Sequence, residues 1–500
     1  MTVVISVASS FFLAPFVIHS LGDRWYGLWV LVGSFIGFYG LLDFGISSAT
    51  QRYLAHALPR RDPDELNTIV AASLAMFCGI SLIAVVITLG VVVLAPFFIA
   101  DPQNLATFRV VSFILGLDFA ISLPFYTQHG ILAANLRFDY ASLIQIGKII
   151  LRTALFFFFL SIGYGIVSLA VLSLLVNFCG YAAVTALAHR MAPWLRLRRK
   201  HFAYSKMREL IGFGVYTFIG QIAGTIKFRL DNIVIAGTIG LGPVTHFNIA
   251  TKLNNYFFNA LGSLVPSSAS VYAGYHARGE IHQIRDKFLI LARINTILGM
   301  LGAGAVLIFA RPFIALWVGP QYLDAFVPLV IIVLGRIPSI LQSPAVGVIY
   351  AMARQKFTAY VNLGEALVNL ALSLLLVHRY GIVGVALGTA IPMVATRVTI
   401  QPVYICSIMN LRLWTYIKGV VPPALVVVLA QLPLVYAVDH VALRSYWQIA
   451  AWATGYYTPL LAFFYFVMLT PKERQLFAEG MPTLRPKNRK RVMQAQQHRL

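Results

Sequence analysis

Long apolar runs follow one another from Val3 to Leu469, many of them near the roughly 20 residues that carry a helix across a bilayer, with polar residues gathered in the breaks between. Barrel strands would alternate over segments of about ten residues. Stretches such as LSLLLVHRYGIVGVALGTAIPMV, from Leu372, are instead apolar on every face. The pattern predicts spans near residues 3 to 20, 26 to 50, 68 to 98, 106 to 133, 141 to 161, 164 to 188, 209 to 239, 243 to 273, 287 to 310, 325 to 351, 358 to 378, 381 to 407, 415 to 438 and 446 to 469. The chain therefore reads as an all-α polytopic membrane protein of about 14 helices. The segment 209 to 239 is long enough to hide a break.

Charge gives these spans a direction. Placing the N-terminus in the cytoplasm puts Arg52, Arg60, Arg61, Arg137, Arg190, Arg196, Arg198 to Lys200, Lys206, Arg278, Lys287, Arg354, Arg412 and the basic tail on the inside. The outside keeps little beyond Arg24, Arg311, Arg379 and Arg444. That bias is the positive-inside rule, and it predicts two cytoplasmic termini and an even number of spans.

Part of the chain repeats. LRFDYASLIQIGKIILRTALFFFFLSIGYGIVSLAVLSLL from Leu136 has a counterpart in ARQKFTAYVNLGEALVNLALSLLLVHRYGIVGVALGTAI from Ala353, with Arg137 on Arg354, Gly147 on Gly364 and Tyr164 on Tyr380. A weaker echo joins the segments beginning at Leu21 and Leu241. The expected organisation is two parallel, pseudo-symmetric six-helix lobes, residues 1–190 and 209–407, whose twofold axis lies along the membrane normal. A basic cytoplasmic linker, 191–208, joins them; two extra helices, 408–469, and a basic tail, 470–500, follow.

Composition narrows the function. The 500 residues are 59% hydrophobic and 11% charged, against about 25% charged in soluble domains. A net charge of +22 would suit nucleic acid only on a soluble basic face, and here the cations sit between apolar runs. Cys78, Cys179 and Cys406 lack metal-type spacing and suggest no disulfide framework. Val3 to Ile18 has no basic segment before it and reads as helix 1 rather than a cleavable signal. No phosphate loop, HExxH helix or GxSxG elbow is present, and Asp23, Asp101, Asp324 and Asp439 are scattered over short outside loops, so an enzyme, a cofactor and a metal are not expected.

Pro15, Leu21-Gly22, Tyr26-Gly27-Leu28-Trp29, Leu42-Asp43-Phe44-Gly45-Ile46, Arg52-Tyr53 and Asp231-Asn232-Ile233-Val234-Ile235-Ala236-Gly237 carry a family likeness. Over residues 10 to about 410 the chain resembles the bacterial O-antigen and exopolysaccharide repeat-unit flippases of the multidrug/oligosaccharidyl-lipid/polysaccharide exporter superfamily. The resemblance implies two lobes around a cavity that opens alternately to either side. The implied cargo is an undecaprenyl-diphosphate-linked oligosaccharide, moved from the cytoplasmic to the periplasmic leaflet of the inner membrane. It also implies contact with membrane lipids, a proton or sodium counter-ion, and a polymerase and chain-length proteins as pathway partners. The basic amphipathic leader frequent in these proteins is absent, which leaves room for one upstream of Met1.

Ionisable residues inside spans are costly and usually face a bundle interior or an aqueous cavity. The expected cavity set is Lys227, Arg229, Lys252, Arg293, Arg336 and Asn255, with Arg152 a further cation and Gln221 nearby. Lys227 and Arg229 would meet the diphosphate; alternatively they mark the membrane surface with Asp231 as a local partner. Asn254, Asn255, Tyr256 and Asn259 form a polar stripe for sugar hydroxyls or for contacts between helices. The gating or ion-coupling set is Asp43, Asp118, Lys148, Asp231 and Glu365. The repeat sets Lys148 opposite Glu365, and Asp118 within one residue of Arg336, so either pair bridges the lobes in one state or each charge pairs locally. Asp43 is either a proton site or the brace of a bend. Pro15, Pro96, Pro124, Pro266, Pro338, Pro344 and Pro392 would kink their spans. Two other functions compete: a drug/cation antiporter, which favours an acidic cavity, and a non-transporting scaffold for polysaccharide assembly.

Overall fold

The computed structural model describes residues 2–60, 62–97, 99, 101–264, 269–471, 473 and 474, with the backbone alone for 199, 213–217, 219–224, 226–228, 263, 264, 269 and 270. Every regular element among them is helical. Nine helical stretches are long and apolar enough to cross a bilayer.

The first part of the chain forms α1 (Thr2–Tyr39), α2 (Ile46–Ala57), α3 (Pro63–Leu94), α4 (Pro102–Ala134), α5 (Phe138–Ser161), α6 (Ile166–Met191), α7 (Tyr204–Thr238) and α8 (Leu241–Leu264). After residues 265–268 come α9 (Ala269–Ala277), α10 (Ile281–Trp317), α11 (Phe326–Leu341), α12 (Ser343–Ala351), α13 (Gln355–Ala395), α14 (Gln401–Ile408), α15 (Leu413–His440) and α16 (Tyr446–Phe463). Asp62 and Asp101 start α3 and α4 in the same way. Each carboxylate accepts from two backbone N–H groups of the first turn, and a proline follows at the position where no donor is missed.

Two long helices are bent at glycines in conformations that a side chain would strain: α1 at Gly22 (φ 77°) and α13 at Gly381 (φ 56°). Gly22 falls between two spans predicted separately, and Gly381 is the first residue of the span predicted to begin there. Elsewhere apolar runs conceal turns. The run 26 to 50 breaks through a 3₁₀ turn at Gly40–Asp43 and left-handed Phe44 and Gly45 before α2 begins. The run 325 to 351 divides at Gln342 into α11 and α12. The backbone of 209 to 239 stays within one helix, α7. Among the prolines, Pro15, Pro124, Pro338 and Pro392 stand inside helices, Pro96 is in the turn ending α3, and Pro344 is in the first turn of α12. Pro266 lies outside the described residues.

Leu136 and Ala353, the paired first residues of the two similar segments, are both left-handed, at φ 57° and 54°, a conformation uncommon for residues other than glycine.

The chain packs as two compact units. One comprises Met1–Lys252, Val327–Ile331 and Lys356–Pro392; the other comprises Leu253–Phe326, Ile332–Gln355 and Met393–Leu500. In the first, Phe77, Ala84, Ala120 and Leu123 close the α3–α4 seam, while Leu54, Leu66, Ile131 and Val184 close the end where α2, α3, α4 and α6 meet. The close approach is built on small residues: a Cβ on Gly116 would run into Thr88, and one on Gly27 would strike the Leu241 carbonyl. In the second unit, Ile294, Ile297 and Leu301 of α10 pack on Val427 of α15 and on Phe464.

Candidate functional site

The bend at Gly22 folds α1 so that Ser10, Ala14 and Val17 before it, and Tyr26 and Trp29 after it, face one cavity of about 220 Å³. α5 contributes Arg152 and Phe156, α6 Ser173 and α8 Lys252. Among the described residues no carboxylate lines this space. Tyr26 is held by its hydroxyl, which donates to Asn248 Oδ1 at 3.0 Å, and Lys252 Nζ lies 5.4 Å from the centre of its ring. Asn248 and Lys252 stand four apart on α8, so one helix face both fixes the tyrosine and places the cation beside it. Trp29 meets Phe156 edge-on at 6.2 Å. Arg152 and Lys252 thus share one cavity with the aromatic side chains of Tyr26, Trp29 and Phe156.

Lys148 stands one turn before Arg152 on α5 and reaches a network inside the same unit. Its Nζ is 5.5 Å from the Tyr181 ring. The Tyr181 hydroxyl donates to Asp118 Oδ1 at 3.3 Å, and Asn177 Nδ2 donates to Asp118 Oδ2 at 2.6 Å. Asp118 is 8% exposed and feels both the Lys148 and Arg152 charges. A buried carboxylate of this kind persists because hydrogen bonds and nearby cations offset its desolvation. Asp118 lies on the same network as Lys148 of α5 through Tyr181.

A second buried carboxylate, Asp231 of α7, has a different shell. The Thr389 hydroxyl lies 3.0 Å from Asp231 Oδ2 and 3.2 Å from the Val385 carbonyl. Asn369 Nδ2 donates to Thr389 Oγ1 at 3.1 Å, and Ser373 donates to Asn369 Oδ1 at 3.2 Å. Asp231 Oδ1 is buried without a hydrogen-bond partner. Carboxylate, hydroxyl, amide and carbonyl oxygens are the donors that a hard cation takes, and the same shell suits a protonated carboxyl.

The other predicted residues take several positions. Lys252 lines the first cavity, joined there by Arg152. The Arg229 guanidinium lies over Gly37 of α1, where a Cβ would come within 2.6 Å of it, and neighbouring Asn232 donates to Ser34 at 3.0 Å. The Lys227 and Gln221 side chains lie outside the described set. In the second unit the structure brings Arg336 and Asn255 together: Nη1 donates to Oδ1 at 3.0 Å, with the guanidinium 3.8 Å from the Phe258 ring centre. Arg293 instead holds the segment after α16, donating to the Met468 carbonyl at 3.0 Å and meeting Glu473 at 3.5 Å. Asp43 accepts from the Ser47 backbone N–H at 3.1 Å and from the Ser47 hydroxyl, which is the geometry of a brace at the start of α2. Glu365 is buried on α13. Tyr26, Asn177, Tyr181, Asn248, Asn369, Ser373 and Thr389 were not predicted as site residues. The four-residue spacing of Asn369 and Ser373 in an apolar span was the sequence signal for one pair of them.

A profile of the polysaccharide biosynthesis protein family matches residues 21–327. The chain belongs to that family. It is 22% identical to the uncharacterized membrane protein EpsK of Bacillus subtilis (strain 168) across 94% of either chain. A putative O-antigen transporter of Shigella flexneri is 21% identical over 79% of this chain and 93% of its own. In fold, the chain resembles the lipid II flippase MurJ in an inward closed conformation, with a TM-score of 0.71 at 15% identity over 93% of this chain and 98% of that one. Family and helical architecture together make it a multi-pass membrane protein of polysaccharide biosynthesis.

Proposed function

We propose that this chain is a flippase that moves an undecaprenyl-diphosphate-linked oligosaccharide repeat unit from the cytoplasmic to the periplasmic leaflet of the bacterial inner membrane by alternating access. The observation that carries the proposal is the presence of Arg152 and Lys252, with Tyr26 and Trp29, on a single cavity without a carboxylate among the described residues. Arg152 would grip the diphosphate through its planar fork, Lys252 would act as a point charge, and the aromatic rings and Ser10 and Ser173 would meet the first sugar. No covalent step is required. Asp231, with Thr389 and Asn369, would take the coupling cation, a proton or sodium, so that a gradient biases the switch between inward and outward states. Arg336, Asn255, Arg229 and Lys227 would meet later parts of the cargo.

The accompanying topology is 14 spans with both termini cytoplasmic, arranged as lobes 1–190 and 209–407, linker 191–208, two further helices 408–469 and tail 470–500. Breaking α1 at Gly22 and α13 at Gly381, and counting α2, α9, α12 and α14 with the spans they continue, supports this count. A polymerase and chain-length proteins of the same pathway would take up the product. The antiporter alternative needs an acidic cavity, and the lining of the Arg152 cavity weighs against it.

The test replaces Arg152 and Lys252 together by glutamine in cells that depend on this chain for polysaccharide export. Lipid-linked repeat units trapped on the cytoplasmic leaflet, with the variant present at normal level in the membrane, are expected. Undiminished export would overturn the proposal, and retained drug efflux with no lipid phenotype would favour an antiporter.

A further inference from the structure

Beside the cationic cavity lies a second space of about 730 Å³, within the range of roughly 300–1,000 Å³ found for ligand pockets. Its walls include Leu21 and Trp25 of α1, Phe159 of α5, Tyr164, and Val171 and Leu175 of α6, and no charged side chain lines it. The two spaces use the same helices. Val17 and Leu21, Tyr26 and Trp25, Phe156 and Phe159, and Ser173 and Leu172 are pairs in which one member lines the cavity and the other the groove. These positions are one to four residues apart, so the same stretches of α1, α5 and α6 wall both spaces along their shared seam. The Gly22 bend sits at that seam. Phe159 and Tyr164 pack edge-on at 5.3 Å beside the groove.

We propose that this groove holds the polyprenyl tail of the cargo while the neighbouring cations hold its diphosphate. The inference rests on the flippase reading and adds the path of the tail. A ligand with an anionic head and a long hydrocarbon tail fills both spaces at once. Arg152 stands near the middle of α5, so a head bound there is drawn away from the membrane surface and its tail leaves along the seam. An ordinary phospholipid keeps its head at the interface and reaches only the groove. Aromatic faces such as Trp25, Phe159 and Tyr164 suit the flat, methyl-branched isoprene units.

The probe is undecaprenyl diphosphate carrying a diazirine on an isoprene unit near the diphosphate, added to the full chain in vesicles of phosphatidylethanolamine and phosphatidylglycerol. Irradiation is expected to label α6 around Val171 and Leu175. V171W and L175W fill the groove from exposed positions, and each should lower the labelling about tenfold while leaving thermal unfolding unchanged. Binding of a tail-less sugar diphosphate, which reads the cation site, should be unaffected by either variant. Labelling spread evenly over lipid-facing helices, or matched in strength by a diazirine-bearing phospholipid, would overturn the tail path. If tail-less binding depends on Arg152 and Lys252 but α6 is not labelled, the groove assignment fails and the flippase reading stands. If α6 is labelled and neither cation affects tail-less binding, the cation site fails instead.

Discussion

Lys252 of α8 and Arg152 of α5 line the same cavity, although neither belongs to a motif that sets it apart from other basic residues of the chain. Past the bend at Gly22, Tyr26 lines the same cavity and presents its ring to Lys252 at 5.4 Å. Hydrogen bonds to charged groups contribute about 1.5–3 kcal/mol. R152Q should therefore lower transport about 10- to 100-fold, and R152K should recover only part of it because the bidentate fork is lost. Initial rates in proteoliposomes, at matched protein content, check both.

Asp118 lies on the same network as Lys148 through Tyr181, and its removal leaves Asn177 and Tyr181 without their acceptor. Each orphaned buried donor costs about 1–3 kcal/mol. D118A is expected to lower the unfolding temperature in detergent clearly, and Y181F to lower it less. Equal melting curves for D118A and the unaltered chain would remove the network from the account.

On the proposed reading Asp231 takes the coupling ion and does not touch the cargo. D231N keeps a hydrogen-bonding side chain in place but removes the negative charge facing Thr389. The variant should bind a tail-less sugar diphosphate normally yet lose the acceleration of transport by an imposed proton or sodium gradient. Acceleration that persists in D231N would place the coupling site elsewhere.

Small residues in α1 are not equivalent. A Cβ at Gly27 would strike the Leu241 carbonyl, whereas one at Gly33 meets nothing within 4 Å. G27A should destabilise the protein by about 1–3 kcal/mol, as overpacking does, and G33A should be neutral or slightly stabilising. Thermal unfolding of the two variants side by side makes the comparison.

Much of the fold was legible in the sequence, because spans announce themselves by apolar length and the repeat by matched residues. Leu136 and Ala353, paired by those matches, are both left-handed, which nothing in their side chains announces. Gly22 and Gly381 fall where one span was separated from the next. The break at Gly40–Gly45 was not legible, since Leu41, Leu42 and Phe44 keep the hydropathy high through the turn. The site was legible in its charges but not in its partnerships. Lys252 was predicted to line a cavity, whereas Thr389 meets Asp231 across 158 residues of chain through one hydroxyl in an apolar helix. Arg293 carries the same charge as Lys252 and yet braces the segment after α16, because burial and charge in a sequence do not say which neighbour a side chain will face.

The most direct measurement of the central claim is leaflet-resolved translocation. A lipid-linked oligosaccharide is placed in the outer leaflet of proteoliposomes, and its loss from a membrane-impermeant lectin or periodate reagent is followed for the unaltered chain and for the R152Q/K252Q variant. The unaltered chain should move the glycolipid out of reach and the variant should hold it at the level of protein-free vesicles. Equal translocation by both would contradict a cationic cavity as the carrier of the cargo.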